Sequence, residues 1–239
     1  RMCLNNWGGI DHKVLEFHEY VNLFSGKSGS GKSTVMDAIQ VILYGSFSPS
    51  FLNKAADDAK NRRSVLSYLR GEQKDGSANR KDCDFCSVIA LEIEDTGTHI
   101  ITCIGIAFEV RKSDSEIKKF VYFSHSGKMP ESEYLTEQGV CYSNQEIKKL
   151  VSARTKSDDN RGKGEVNRIY GSKEAYLGTL YDVILGYIDQ NRFITMEKSA
   201  IALKMTNGTG QFIRDYMFPK NTSNTIATIS EQLDCYLQI

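Results

Sequence analysis

Short apolar runs occur at Met2–Leu4, Val14–Phe17 and Tyr20–Phe24, and the third leads straight into a glycine-rich stretch. Runs of this length, bounded by glycines and polar residues, predict strands. Beyond the glycines the period changes. Val35, Ala38, Ile39, Ile42 and Leu43 recur three and four residues apart, predicting a helix that opens at Gly31 or Lys32 and runs to Tyr44, with Gly45 as its stop.

Residues 46–81 are polar and basic around one helical patch at Val65, Leu66 and Leu69. Two β-rich runs, Ser87–Glu94 and His99–Val110, flank Asp95-Thr96-Gly97-Thr98, a hairpin pattern. With Phe120–Phe123 they predict an antiparallel sheet separate from the strands around the glycines. The polar stretch Ser152–Lys173 predicts a loop. Leu177, Leu180, Tyr181, Ile184, Leu185 and Ile188 return to helical spacing, as do Phe212, Ile213, Tyr216 and Met217. Ile226, Ile229, Leu233 and Tyr236 or Leu237 step by three and four residues like the opening of a coiled-coil seam.

Composition narrows the picture modestly. The 239 residues carry 30 basic and 30 acidic side chains, so the net charge gives no general pull toward nucleic acid. The length fits one ordinary domain with room for a second lobe or an extension. Locally, Lys148–Lys173 holds eight basic and three acidic residues, a run able to meet a DNA backbone or simply to be solvated. No stretch approaches the roughly 20 apolar residues of a membrane helix and no signal peptide opens the chain, so a cytoplasmic location is expected. The opening Arg1-Met2 fits a partial sequence. Of the six cysteines only Cys83 and Cys86 have metal-like spacing; without a second pair or histidines the pair predicts reduced thiols.

Gly26-Lys27-Ser28-Gly29-Ser30-Gly31-Lys32-Ser33, followed by Thr34, fits G-x-x-x-x-G-K-[ST] at every fixed position. The chemistry needs these residues. Glycines let successive N–H groups turn inward around phosphates, and the helix start adds a favourable dipole. Lys32, the one catalytic residue assigned, is expected to reach the β- and γ-phosphates; the Ser33 hydroxyl is expected to bind Mg²⁺. ATP with Mg²⁺ is the expected ligand pair.

Hydrolysis also requires an acidic residue at the end of a buried strand. Val183–Asp189 offers an apolar run ending in Asp189, but its residues continue the helical period begun at Leu177. Leu91–Asp95, with Glu94, alternates like a half-buried hairpin strand. Asn207-Gly208-Thr209-Gly210-Gln211 is similar to the ABC signature, but no acid-ended strand follows it.

Leu4-Asn5-Asn6-Trp7-Gly8-Gly9-Ile10, Phe17, and Val21–Ser25 with the P-loop resemble the N-terminal lobe of SMC-type ATPase heads, ABC-class ATPases of chromosome organisation and DNA repair. Phe51-Leu52-Asn53-Lys54-Ala55-Ala56 and Arg62–Gly71, with its Tyr68-Leu69-Arg70-Gly71, are similar to the bacterial condensin-like branch that includes MukB and the JetC subunit of the Wadjet plasmid-defence system. Ala200–Lys204 and Phe212–Met217 fit that branch more loosely.

The resemblance implies an α/β fold: a P-loop lobe with an antiparallel sheet over residues 1–221, and a coiled-coil helix beginning at 222–239. It implies a head divided between two chain ends, with the signature motif and acidic strand in a distant C-terminal lobe. The implied partners are that lobe, a second head in a homodimer, DNA, and accessory kleisin-type subunits, with no membrane. Two features depart from the family. Gln138, Gln145, Gln190 and Gln211 all compete for the nucleotide-sensing glutamine, and Lys54 stands near the place of an arginine. Two other readings stay open: a self-contained P-loop kinase or NTP hydrolase using Asp189 or Glu94, and a non-hydrolysing ATP-gated interaction module.

Overall fold

The computed structural model describes residues 1–27, 29–49, 52, 63–73, 75–157 and 166–201. They belong to two units, Arg1–Gln190 and Asn191–Ile239. In the first, the strands are β1 (Met2–Trp7), β2 (Ile10–Leu15), β3 (Phe85–Glu94), β4 (Ile101–Val110), β5 (Lys119–Ser126) and β6 (Arg168–Tyr170). Its helices are α1 (Lys32–Tyr44), α2 (Val65–Arg70), α3 (Asn144–Ser157) and α4 (Lys173–Gly178), the last continuing as a π-helical turn over Thr179–Ile184. The described part of the second unit is essentially α5 (Gln190–Ile201), which starts at the unit boundary. Among the described residues no helix is long and apolar enough to cross a membrane.

The six strands form one antiparallel sheet in the order β2-β1-β3-β4-β5-β6. This corrects the expectation of a separate sheet: β1 pairs with β3 in the register Met2↔Leu91 to Asn5↔Val88, joining the N-terminal hairpin to the central one. Alternation along each strand feeds two cores. On one face Cys3, Val88, Ala90, Cys103, Ala107 and Phe123 pack with Tyr134 and with Ile147 and Val151 of α3. The opposite face carries Phe108, Phe120 and Tyr122, which meet Phe47 at the exit of α1, and α1 itself packs against β3 and β4. The middle of β3, Ser87–Leu91, is buried throughout because both faces are covered, while Glu94 at its end is exposed.

Several expectations hold. α1, its stop at Gly45 in the left-handed conformation, α2 and the β3–β4 hairpin all lie where the pattern predicts them. Others need correction. Tyr20–Phe24 forms no strand: the Asn22 side chain donates to the His18 carbonyl at 2.8 Å and accepts from the His18 N–H at 2.7 Å, closing a bend at Glu19–Tyr20, and Val21–Phe24 follow it without a pairing partner in the sheet. Ser152–Lys173 is not one loop, since α3 runs through Ser157 and β6 takes up Arg168–Tyr170, where it pairs with β5. The readings placed on Phe51, on 53–62 including Lys54, on 158–165, on 202–204 and on 207–237, and the proposed boundary at residue 222, lie outside the described residues.

Candidate nucleotide-binding site

The glycine loop takes the backbone its sequence requires. Gly26, Gly29 and Gly31 have φ of 155°, 83° and 89°, a region L side chains rarely enter. At Gly29 and Gly31 a Cβ would meet nothing within 4 Å, so conformation rather than crowding selects glycine there. Gly31 caps α1 without any side-chain bond, and the first turn holds no acidic residue. The first N–H groups of the helix are thus left to an outside acceptor, and a helix start in that condition favours an anion.

Lys32 folds into the loop. Its ammonium donates to the Gly26 carbonyl at 2.6 Å, the Lys27 carbonyl at 2.9 Å and Ser30 Oγ at 3.3 Å. Those three acceptors match its three donors and draw the charge over the concave side of the loop. Ser33 is exposed and Thr34 half-buried at the first turn of α1; Gly26, Lys27, Gly29 and Ser30 are exposed. Ser28 lies outside the described residues. The donor set fits a polyphosphate: free backbone N–H groups and one lysine for the phosphates, and a hydroxyl ligand of the kind a hard cation takes.

The helix α1 is fastened at both ends, at its start to the sheet and at its end to the sheet and to α4 with its π-helical turn. At its start, the Trp7 indole donates to the Thr34 carbonyl at 2.8 Å. At its end, the hydroxyls of Tyr176, Tyr181 and Tyr122 donate to the carbonyls of Ile42 (3.0 Å), Leu43 (3.0 Å) and Gly45 (2.6 Å). Those carbonyls belong to the last turn and its cap, where intrahelical partners run out. Each such bond adds about 1 kcal/mol net. The loop therefore rests on a rod held at both ends.

The remaining candidates are dispersed. Glu94 sits at the exposed hairpin end of β3 beside His99 at 3.1 Å. Asp189 falls between the π-helical turn, which ends at Ile184, and α5, which starts at Gln190, and not at a strand end; of the expected helical run Val183–Ile188 only Val183 and Ile184 are helical, and Leu185–Ile188 leave the helix in a bend. Gln138 lies in the loop before α3, Gln145 in the first turn of α3 and Gln190 at the start of α5; Gln211 is outside the described residues. Cys83 and Cys86 are free thiols, and among the described residues no group of three ligand-type side chains could hold a metal.

Sequence reading missed Arg80 and the supporting roles of Tyr68, Tyr122, Tyr176 and Tyr181. Arg80 is 6% exposed. Burial pulls its basicity down, and neighbouring Asp11 acts against that pull.

Residues 1–59 match the family described as the P-loop containing region of AAA domain, a span that includes the whole glycine loop and α1. No curated protein matches the chain. The chain thus carries a P-loop region of the nucleotide-binding kind, on an α/β lobe built around a six-stranded antiparallel sheet.

Proposed function

We propose that this P-loop lobe is the ATP-binding N-terminal half of an SMC-like ATPase head, completed by a second lobe that supplies the missing strands and the catalytic acid. One observation carries the reading. Tyr20–Phe24, the apolar run that enters the P-loop, belongs to no sheet among the described residues, and Tyr20, Val21 and Leu23 are 87%, 77% and 89% exposed. Three large apolar side chains beside a phosphate loop suit a strand whose neighbours come from elsewhere. The motif resemblance at Leu4–Ile10 and Arg62–Gly71 supports the same reading. ATP with Mg²⁺ is the ligand, sandwiched between two such heads; hydrolysis separates them while the complex acts on DNA in chromosome organisation or plasmid defence.

The test is turnover. The chain alone hydrolyses ATP near background, because a P-loop positions phosphates and metal but does not orient the attacking water. Adding the downstream lobe of the same protein restores hydrolysis, with a rate that rises with protein concentration as heads pair. Vigorous hydrolysis by the chain alone, abolished by Asp189→Asn or Glu94→Gln, would sink the half-head reading in favour of a self-contained enzyme. For DNA, the support is α3, which exposes Lys148, Lys149 and Lys156. Neutralising these three flattens the salt dependence of DNA binding by the complete assembly, and an unchanged slope returns α3 to a solvated face.

A further inference from the structure

Arg80 lies beyond α2 and is buried with a charge on it, a costly arrangement unless its donors are satisfied. Nε donates to the Leu69 carbonyl at 2.9 Å, Nη1 to Asp11 Oδ1 at 2.8 Å, and Nη2 to the Gly8 carbonyl. The Asp11 side chain is 81% exposed, so this ion pair alone does not account for the burial. The other two bonds go to backbone: one to the end of α2, one to the β1–β2 turn. Arg80 is thus a clasp between those elements. The Gly8 N–H completes it by donating to the Tyr68 carbonyl at 2.8 Å.

Gly8 is also where this turn meets the P-loop helix. A Cβ placed on it would lie 2.5 Å from Thr34 Cγ2, so the turn already rests against Thr34 with no room to advance. Thr34 follows Ser33 directly, and its carbonyl is the one that accepts the Trp7 indole. Among the described residues the glycine loop ahead of Lys32 makes no bond to this clasp; its internal bonds run from Lys32 and from the Ser30 N–H to the Lys27 carbonyl. Loss of the clasp should thus disturb the first turn of α1 more than the phosphate cradle. Mg²⁺ is the ligand most sensitive to such a disturbance, since it demands near-ideal octahedral geometry at about 2.0–2.1 Å.

We propose that Arg80 is a positioning residue for the magnesium site: by holding the Gly8 carbonyl it sets the β1–β2 turn against Thr34 and thereby fixes the Ser33 hydroxyl. The proposal rests on the reading of Gly26–Thr34 as a nucleotide and magnesium site. The test uses the 239-residue chain and a fluorescent ATP analogue, titrated in Mg²⁺ and again in EDTA, with circular dichroism to establish folding. Arg80→Met keeps the affinity measured in EDTA but lowers the enhancement by Mg²⁺ about tenfold, the size seen when outer supports of a metal ligand are removed. Arg80→Lys does not restore it, because one ammonium cannot span three acceptors held by a planar fork.

An unchanged enhancement in folded Arg80→Met overturns the proposal. So does an equal loss with and without Mg²⁺, which marks a general structural role. Should Arg80→Met not fold, Thr34→Ser removes the Cγ2 against which the turn rests while leaving Arg80, Gly8 and the hydroxyl in place. It lowers the enhancement by Mg²⁺ in the folded chain. An unchanged enhancement in Thr34→Ser also overturns the proposal. A wild-type chain that binds no nucleotide contradicts the P-loop reading itself, and this proposal falls with it.

Discussion

Trp7 and Tyr68 stack with ring centroids 5.0 Å apart and planes within 9° of parallel, tying the end of β1 to α2. Each ring also bonds to the P-loop helix: the Trp7 indole to the Thr34 carbonyl, and the Tyr68 hydroxyl to the 4%-exposed Asp37 carboxylate. The pair turns a stretch of sequence with no phosphate chemistry of its own into the support of the site. Trp7→Phe, losing the indole donor and leaving unfilled space at a fully buried position, is expected to lower stability by about 2 kcal/mol or more, about 1 of it from the lost bond. Tyr68→Phe, removing a donor from a buried carboxylate, is expected to cost about 1–3 kcal/mol. Urea unfolding followed by circular dichroism measures both, since Trp7 is the one tryptophan of the chain; a Tyr68→Phe chain as stable as wild type would leave the Tyr68–Asp37 bond without a role in the fold.

His125 makes the fold acid-sensitive. It is fully buried, and that burial pushes its pKa down to about 4. The neutral ring suits its partners: Nδ1 donates to the Ser126 carbonyl at 3.1 Å and Nε2 accepts from the Tyr134 hydroxyl at 2.9 Å. Well above pH 6.5 neither folded nor unfolded histidine is protonated, so His125 adds no pH dependence there. Below about 6.5 the unfolded chain takes up a proton that the folded one refuses, and stability falls until about pH 4. The loss amounts to roughly 3 kcal/mol over that window. His125→Gln should flatten the stability profile between pH 6.5 and 4 relative to wild type, and parallel profiles would contradict the assignment.

Leu23→Asp separates folding from assembly. Leu23 is exposed, so the substitution should leave the stability of the chain within about 0.5 kcal/mol of wild type. If Tyr20–Phe24 is completed by strands of a second lobe, the same change abolishes restoration of ATP turnover by that lobe. Thermal unfolding and a reconstituted ATPase assay read the two halves of the prediction. Full restoration with Leu23→Asp would show that this run is not the docking strand.

Much of this lobe is legible from local pattern alone. Helix α1 announces itself through Val35, Ala38, Ile39 and Ile42, and the β3–β4 hairpin through its alternation and the Asp95–Thr98 turn, because periodicity and turn chemistry are properties of neighbouring residues. The union of both hairpins in one sheet was not legible, because Met2 meets Leu91 across a sequence distance that no local pattern encodes. The start of α3 could have been read from a capping box: the Ser143 N–H donates to Glu146 Oε2 at 2.6 Å and the Glu146 N–H to Ser143 Oγ at 3.3 Å. Instead the polar composition after Val151 outweighed it. Arg80 looks like any surface arginine in the sequence, and Tyr122, Tyr176 and Tyr181 like ordinary core residues; their partners are backbone carbonyls revealed only by the packed fold.

Ser33→Ala tests the metal ligand directly, without passing through Arg80. Affinity for ATP in Mg²⁺ should drop toward the value measured in EDTA, since removing the hydroxyl takes away the oxygen ligand assigned to the protein. Equal magnesium dependence in Ser33→Ala and wild type would place the metal on another group.

The most direct measurement is calorimetric titration of ATP with Mg²⁺ into the wild-type chain and into Lys32→Ala, with circular dichroism to establish that both are folded. Among the described residues Lys32 bonds to the loop's own Gly26, Lys27 and Ser30, and it lies outside the apolar core, so its removal spares the fold. The account predicts binding by wild type and its loss in the folded variant. Unchanged ATP affinity in folded Lys32→Ala would contradict the assignment of Gly26–Thr34 as the nucleotide site.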